Sequence, residues 1–175
     1  MEELNFNTPS GQVVGRDLLI ATLNTGTADA PEWSPVGIRV EDSSASYDWN
    51  VETSKDIFGR TYSSGKKPTI TQTFEPWALD SGDKAQKKIW NLAVKDQNAA
   101  ALMAQDMLII HKYAGEEGKF FAERYKSCSV LPSDLGGEGG GSVGMAIDVT
   151  YGGERVIGTA AIEDGVVTFT PEVTV

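Results

Sequence analysis

The chain has 175 residues, 40% of them hydrophobic and 23% charged, which is the balance of a globular domain with one good core. Its formal net charge of −10 excludes a surface that binds nucleic acid by neutralising phosphates, which needs clustered Lys and Arg. A single cysteine, Cys128, excludes an internal disulfide and makes a structural zinc site a poor expectation.

The start, Met1-Glu2-Glu3, is acidic where a secretory leader would be basic, and the longest apolar run, 99–104, is far too short to cross a bilayer. The expectation is a protein made in a cytoplasm with no membrane partner. Residues 1–15 mix Asn, Pro and Gly with isolated Leu4 and Phe6 and read as an arm ordered only when something binds it. The run LLIATL at 18–23 predicts a short strand, and a second strand is expected over 37–40, after Pro35. The clearest pattern is 46–53, where Tyr47, Trp49 and Val51 alternate with Ser46, Asp48, Asn50 and Glu52. Strict alternation predicts a strand packed on its aromatic side and wetted on the other. The segment 54–68 then reads as a connection of roughly a dozen or more residues, longer than hairpins normally need. It holds Asp56, Ile57, Phe58 and Arg60, and two large apolar groups gain nothing at a solvated tip. They pack either on their own domain or on a partner. A threonine-rich strand follows over 69–74.

One long helix is expected over 81–96, with Asp80 or Ser81 as N-cap. Ala85, Ile89, Leu92 and Ala93, broadened by Trp90 and Val94, form its apolar stripe, and Lys84, Lys87, Lys88 and Lys95 its outer face. The alanine-rich 98–105 either prolongs the helix or bends away. Beyond it the apolar run from Met107 to Ile110 predicts a buried strand ending by Tyr113, with a turn at 115–118. Another strand is expected over 120–130, with Phe121, Glu123 and Tyr125 opposing Ala122 and Arg124. The glycine-rich 135–144 reads as a linker, after which Met145, Ile147, Val149 and Tyr151 alternate and 156–162 returns. Asp164-Gly165 signals a two-residue hairpin. The whole of 1–175 reads as one β-rich domain with a single long helix.

Catalytic signals are absent from the sequence. Gly139, Gly141 and Gly144 match the spacing of a dinucleotide loop, but the alternating strand that follows supplies no helix N-terminus for a pyrophosphate. His111 is the only histidine, and no serine sits in a Gly-x-Ser-x-Gly turn. The adjacent carboxylates at 2–3 and 116–117 point apart in extended chain, and the helix lysines lack interleaved aromatics. No enzyme, catalytic residue, cofactor or metal site is expected.

The runs YDWNVETSKDIFG at 47–59, QTFEPW at 72–77, QDMLI at 105–109, FAERY at 121–125, VLP at 130–132 and DVTYGG at 148–153 resemble, in that order, a series found in bacteriophage tail tube (major tail) proteins. The likeness covers about 32–169, and no single motif in it has catalytic meaning. It implies a mainly β fold, a tail-tube-type β-sandwich with one flanking α-helix and long loop and arm extensions. It implies hexameric rings of identical subunits stacked into a hollow tube within a virion. Partners would include the tape measure, tail terminator and distal tail proteins, and double-stranded DNA would pass through the lumen without specific binding. On this reading Asp48, Asn50 and Glu52 line the lumen, where carboxylates repel phosphate and let the genome slide. Asp56, Ile57, Phe58 and Arg60 form an inter-subunit loop. The long connection and the series of runs favour a non-contractile, siphophage-type tail; the alternative is a tube protein of a contractile or type VI-like secretion system, which shares the fold. A reading from a different class is a monomeric β-sandwich module for carbohydrate, with Trp33, Trp49 and Trp77 as stacking platforms.

Overall fold

A computed structural model describes residues 3–172, so the two first residues of the expected arm, Met1 and Glu2, lie outside the described residues. In chain order the strands are β1 (Leu19–Asn24), β2 (Trp33–Pro35), β3 (Ala45–Asp48), β4 (Glu52–Lys55), β5 (Thr61–Ser64), β6 (Thr69–Ala78), β7 (Gln105–Glu116), β8 (Lys119–Gly136), β9 (Gly144–Tyr151), β10 (Arg155–Glu163) and β11 (Val166–Pro171). Two helices, α1 (Lys84–Trp90) and α2 (Ala99–Leu102), lie between β6 and β7. The fold is mainly β, antiparallel throughout, as the sequence predicts.

The apolar runs of β1 and β7 pair with each other, Ile20 opposite Ile110 and Leu23 opposite Met107. They are continuous rather than alternating because both faces of this sheet are covered. One face carries Leu23, Met107 and Ile109 into the main core, beside Phe74, Trp77, Ile89, Met145 and Ile147. The other carries Leu108 and Ile110 into a second core with Trp33, Phe120, Ala122 and Ala160. The first sheet runs β2-β1-β7-β8-β10-β11, and β11 comes back into contact with β2, so the sheet rolls around that second core.

Strand β8 joins the two layers. Its first half pairs with β7 and β10, its second half with β9, so a single 18-residue strand bends from one sheet into the other. The second sheet runs β8-β9-β6-β3. Its β9 buries Met145, Ile147, Val149 and Tyr151, the four residues that alternate in the sequence. The glycine-rich segment expected to be a linker is instead the end of the β8–β9 hairpin, which pairs as far as Gly136 opposite Gly144. At Asp164-Gly165 both residues have positive φ, 49° and 80°, which is the tight turn the sequence signals.

The helix is shorter than the expected 81–96. Asp83, not Asp80 or Ser81, is the N-cap: its carboxylate accepts from the Gln86 amide at 3.0 Å and from the Trp77 indole at 3.1 Å. After Trp90 the backbone continues as one π turn over Asn91–Lys95. Of the two expectations for the alanine-rich stretch, it bends away rather than prolonging the helix: Gln97 takes φ of 48°, and Asn98 then caps the separate α2 by accepting from the Ala101 amide. Ala85 and Ile89 are buried, and Trp90, Leu92 and Ala93 pack on the main core. Lys88 is not on the wet face. Its ammonium reaches the Asn24 carbonyl at 2.6 Å, which ties the helix to β1, and burial lowers its pKa.

Two further expectations fail for local backbone reasons. Residues 37–40 form a turn, since Gly37 and Arg39 hold φ of 88° and 67°, and a Cβ at Gly37 would lie 2.6 Å from the Phe74 ring. The expected strand over 46–53 breaks at Asn50, whose φ is 47°, a left-handed conformation that Asn tolerates. The N-terminal arm is partly docked within its own chain: Asn7 donates to the Tyr113 carbonyl at 2.8 Å, Gly115 to the Asn5 carbonyl at 3.2 Å, and the Phe6 ring meets Tyr113 edge-on.

Candidate functional site

With the strand broken at Asn50, the segment 54–68 is not a structureless loop. Strands β4 and β5 pair in register, Glu52 opposite Ser64 and Lys55 opposite Thr61, and form a separate two-stranded sheet. The Lys66 amide donates to the Trp49 carbonyl at 3.1 Å and extends the ladder to its base. At the tip Gly59 takes φ of 77° and donates to the Asp56 carbonyl, and the Asp56 amide donates to the Arg60 carbonyl. This is a turn followed by a left-handed glycine, the usual way a three-residue loop closes a hairpin. The Asp56 carboxylate organises it, accepting from the amides of Phe58 and Arg60 at 2.9 Å each and from the Tyr62 hydroxyl at 3.0 Å. The Arg60 amide is the chief reason its pKa is lowered, with Tyr62 and Phe58 adding to it against the opposing effect of desolvation.

A rigid turn thus presents Ile57 and Phe58 to solvent at 94% and 78% exposure. Neither packs on its own domain. Arg60 lies over the Phe58 ring at 5.9 Å. The two strands bury nothing on either face, every residue from Glu52 to Lys55 and Thr61 to Ser64 being exposed.

At the hairpin base Tyr47 and Trp49 do not face the core as the alternation predicts. They are 47% and 55% exposed, with rings stacked at 6.4 Å, and Val51 is 63% exposed. Tyr47 and Trp49, together with Lys67, Tyr125, Tyr151 and Arg155, line a cleft of about 610 Å³. Its floor holds a polar cluster that sequence reasoning missed. Glu123, 6% exposed, accepts from Arg155 at 2.6 Å, from the Tyr125 hydroxyl at 3.3 Å and from His111 Nε2 at 2.8 Å. A carboxylate only accepts, so Nε2 carries a proton; Nδ1 sits 2.8 Å from the Tyr113 hydroxyl. Burial pushes the Glu123 carboxyl up, but hydrogen bonds and charge from His111 and Arg155 outweigh it and hold the pKa below its ordinary value. Burial, with the Glu123 charge behind it, pushes the Tyr125 hydroxyl well up. With both ring nitrogens engaged, His111 braces the sheet and offers no free base. The signal was present in the pattern that puts Glu123 between Phe121 and Tyr125 on one strand face.

The residues expected to line a lumen do not share a strand face. Asp48 ends β3, Asn50 sits in the break with its amide donating to Asp48 Oδ1 at 3.0 Å, and Glu52 starts the hairpin paired to Lys66 at 3.0 Å. All three are exposed. Of the supposed stacking platforms, Trp33 and Trp77 are buried and Trp49 alone is open. Burial pushes the Cys128 thiol up to about 11, which keeps it protonated and unreactive. Among the described residues no group of three or more His, Cys, Asp or Glu could hold a metal ion, and no helix is long and apolar enough to cross a membrane.

No family model matches the chain, and no curated protein matches its sequence. Solved structures similar in chain path include the following three. One is a cryo-EM structure of an extracellular contractile injection system, the PVC sheath/tube terminator in the extended state, with 10% identity over 85% of this chain and 99% of that one and a TM-score of 0.48. The cap of the anti-feeding prophage, described as a tube terminating cap, has 14% identity over 88% and 96%, with a TM-score of 0.48. The PVC sheath-tube complex in the extended state has 9% identity over 85% and 93%, with a TM-score of 0.47.

Proposed function

We propose that the chain is a structural subunit that polymerises as stacked rings into the hollow tube of a phage tail or a related injection machine. The observation that carries this reading is the β4–β5 hairpin: among the described residues it pairs with no other strand, and it holds Ile57 and Phe58 in water on a turn built to keep them there. An exposed apolar pair on a rigid projection is an interaction site rather than a packing accident. The ordered series of tail-tube-like runs between 32 and 169 supports the same reading. Among the described residues strand β3 ends its sheet with an unpaired edge, which joining to a neighbouring subunit would satisfy.

On this reading Asp48, Asn50 and Glu52, exposed beside the β3 edge, face the bore, and their carboxylates keep DNA from adhering. Subunits contact each other through unlike surfaces, so they close into rings and the rings stack head to tail. The tape measure, tail terminator and distal tail proteins would cap and fill such a tube. Electron microscopy of the concentrated protein tests the reading directly. Rings or tubes are expected. A monodisperse monomer at every concentration and ionic strength would refute it, and isolated single rings would mark a terminating ring rather than a repeating tube subunit.

A further inference from the structure

We infer that the cleft floored by Glu123 is the receptor for the hairpin tip of a second copy of this chain, a proposal that rests on the polymerising reading above. Both surfaces lack a partner within the described chain. The tip offers Ile57, Phe58 and the Arg60 guanidinium; the cleft offers the Tyr47–Trp49 stack, Tyr125 and the exposed carboxylate of Glu154, with two cations, Lys67 and the Glu123-bound Arg155, also in its lining. A tip cannot enter its own cleft. Trp49 and Lys67 flank the hairpin at its base, and the tip lies a strand length away, roughly 13 to 17 Å at about 3.3 Å per residue. Its partner must be another molecule.

Charge favours that partner being an identical chain. Residues 52–66 carry three cations, Lys55, Arg60 and Lys66, against two carboxylates, Glu52 and Asp56, whereas the whole chain has a net charge of −10. The hairpin is therefore the basic projection of an acidic protein, and a copy of that protein attracts it while the remaining surfaces repel. Arg60 makes no ion pair among the described residues, and Glu154 pairs only with the exposed Lys126, so the two can meet across the contact. Aromatic and arginine side chains seated in a cleft are the groups that dominate protein interfaces. The cleft is preorganised for this role, because Arg155 and His111 fix Glu123, and Glu123 fixes the Tyr125 hydroxyl.

A complementation experiment tests the pairing. One variant, Ile57→Ser with Phe58→Ser, loses the tip and keeps the cleft; the other, Tyr47→Ala with Trp49→Ala, loses the cleft and keeps the tip. Each alone is expected to raise the concentration needed for polymerisation at least tenfold, and their mixture to form a complex of one copy of each, seen by sedimentation. In protein carrying both Ile57→Cys and Lys67→Cys, an added mild oxidant such as oxidised glutathione is expected to link the tip of each copy to the cleft of the next and give a covalent ladder in the assembled protein, Cys128 being buried and outside the reaction. If the wild type polymerises but the cleft variant polymerises equally well and no ladder forms, the cleft is not the receptor and the tube reading stands. If the wild type itself never associates, both fall. Circular dichroism of each variant, unchanged from wild type, separates a lost contact from a lost fold.

Discussion

Replacing Ile57 and Phe58 together by Ser is expected to uncouple the stability of the subunit from its ability to associate. In the free chain these side chains are 94% and 78% exposed and touch little beyond the Arg60 guanidinium. Their loss should therefore change the unfolding free energy by no more than about 0.5 kcal/mol. On association both become buried, and full burial of a large apolar side chain contributes about 1.5–3 kcal/mol. The pair then accounts for roughly 3–6 kcal/mol per contact, and each subunit gives one tip. At about 1.4 kcal/mol per factor of ten, the concentration needed for assembly should rise on the order of 100- to 10,000-fold. Urea unfolding measures the first quantity, and sedimentation of a concentration series the second. Tubes of normal length at the wild-type concentration would show that the hairpin tip is not an anchor. A fall of several kcal/mol in monomer stability would show that the tip packs on its own domain after all.

Glu123→Gln is expected to cost about 1–3 kcal/mol at neutral pH, because Arg155 loses its charged partner while the bond to His111 keeps an acceptor. The folded-state pKa of Glu123 lies below its unfolded value, so the stability it contributes is complete above the unfolded pKa and is lost as pH falls through the folded one. Urea midpoints taken from neutral pH to about pH 3 should slope less steeply in the Gln variant, and identical slopes would dismiss the role given to this carboxylate. Asp83→Ala removes the cap of α1 and leaves the buried Trp77 indole without an acceptor, for a loss of roughly 2–4 kcal/mol. Asn at the same position keeps one acceptor and should recover about half of that; an Ala variant as stable as wild type would mean that the cap is idle. Asp48→Lys with Glu52→Lys is expected to leave assembly intact and to slow DNA ejection from particles, and unchanged ejection kinetics would remove these residues from the bore.

The sequence made the strands legible wherever tertiary context agreed with local pattern. The alternation in 145–151 and the Asp164-Gly165 turn are local signals with local causes, and both appear as read. The alternation in 46–53 misled, because period two reports a wet and a dry face only if the strand continues. Asn50 interrupts it, and no propensity at the neighbouring positions announces a left-handed residue there. The hairpin turn was visible in Asp56 and Gly59, a turn-initiating carboxylate three residues before a glycine. The two apolar groups between them made the segment look like an irregular loop. Asp83 was passed over as a cap because Asp80 and Ser81 come first, and the choice is made by Trp77, whose indole must find an acceptor. Of the Glu123 cluster the sequence shows only a carboxylate between two aromatics on one strand face; its pairing with His111 and Arg155 on two other strands lies beyond any local window.

The distribution of burial narrows what this fold can do. Over β1 and β7 the first sheet is covered on both faces, by the main core on one and by Trp33, Phe120 and Ala160 on the other, which leaves the cleft at Glu123, Tyr125 and Arg155 as its open part. The helix is spent on the main core, and its lysines divide between solvent, Glu32 and the Asn24 carbonyl. A carbohydrate module of the kind first considered needs several aromatic platforms in water, and here Trp33 and Trp77 lie inside. Exposed apolar side chains occur elsewhere too, among them Phe6, Val13 and Val166, but one hairpin gathers six of them: Tyr47, Trp49 and Val51 at its base, Ile57 and Phe58 at its tip, Tyr62 on its flank. A monomer gains nothing from that arrangement, since a hairpin with no buried face is marginal in water and exposes surface that invites aggregation. A polymer gains both a projecting anchor and a receptor on every copy, and the excess negative charge elsewhere limits association to the places where the anchor fits.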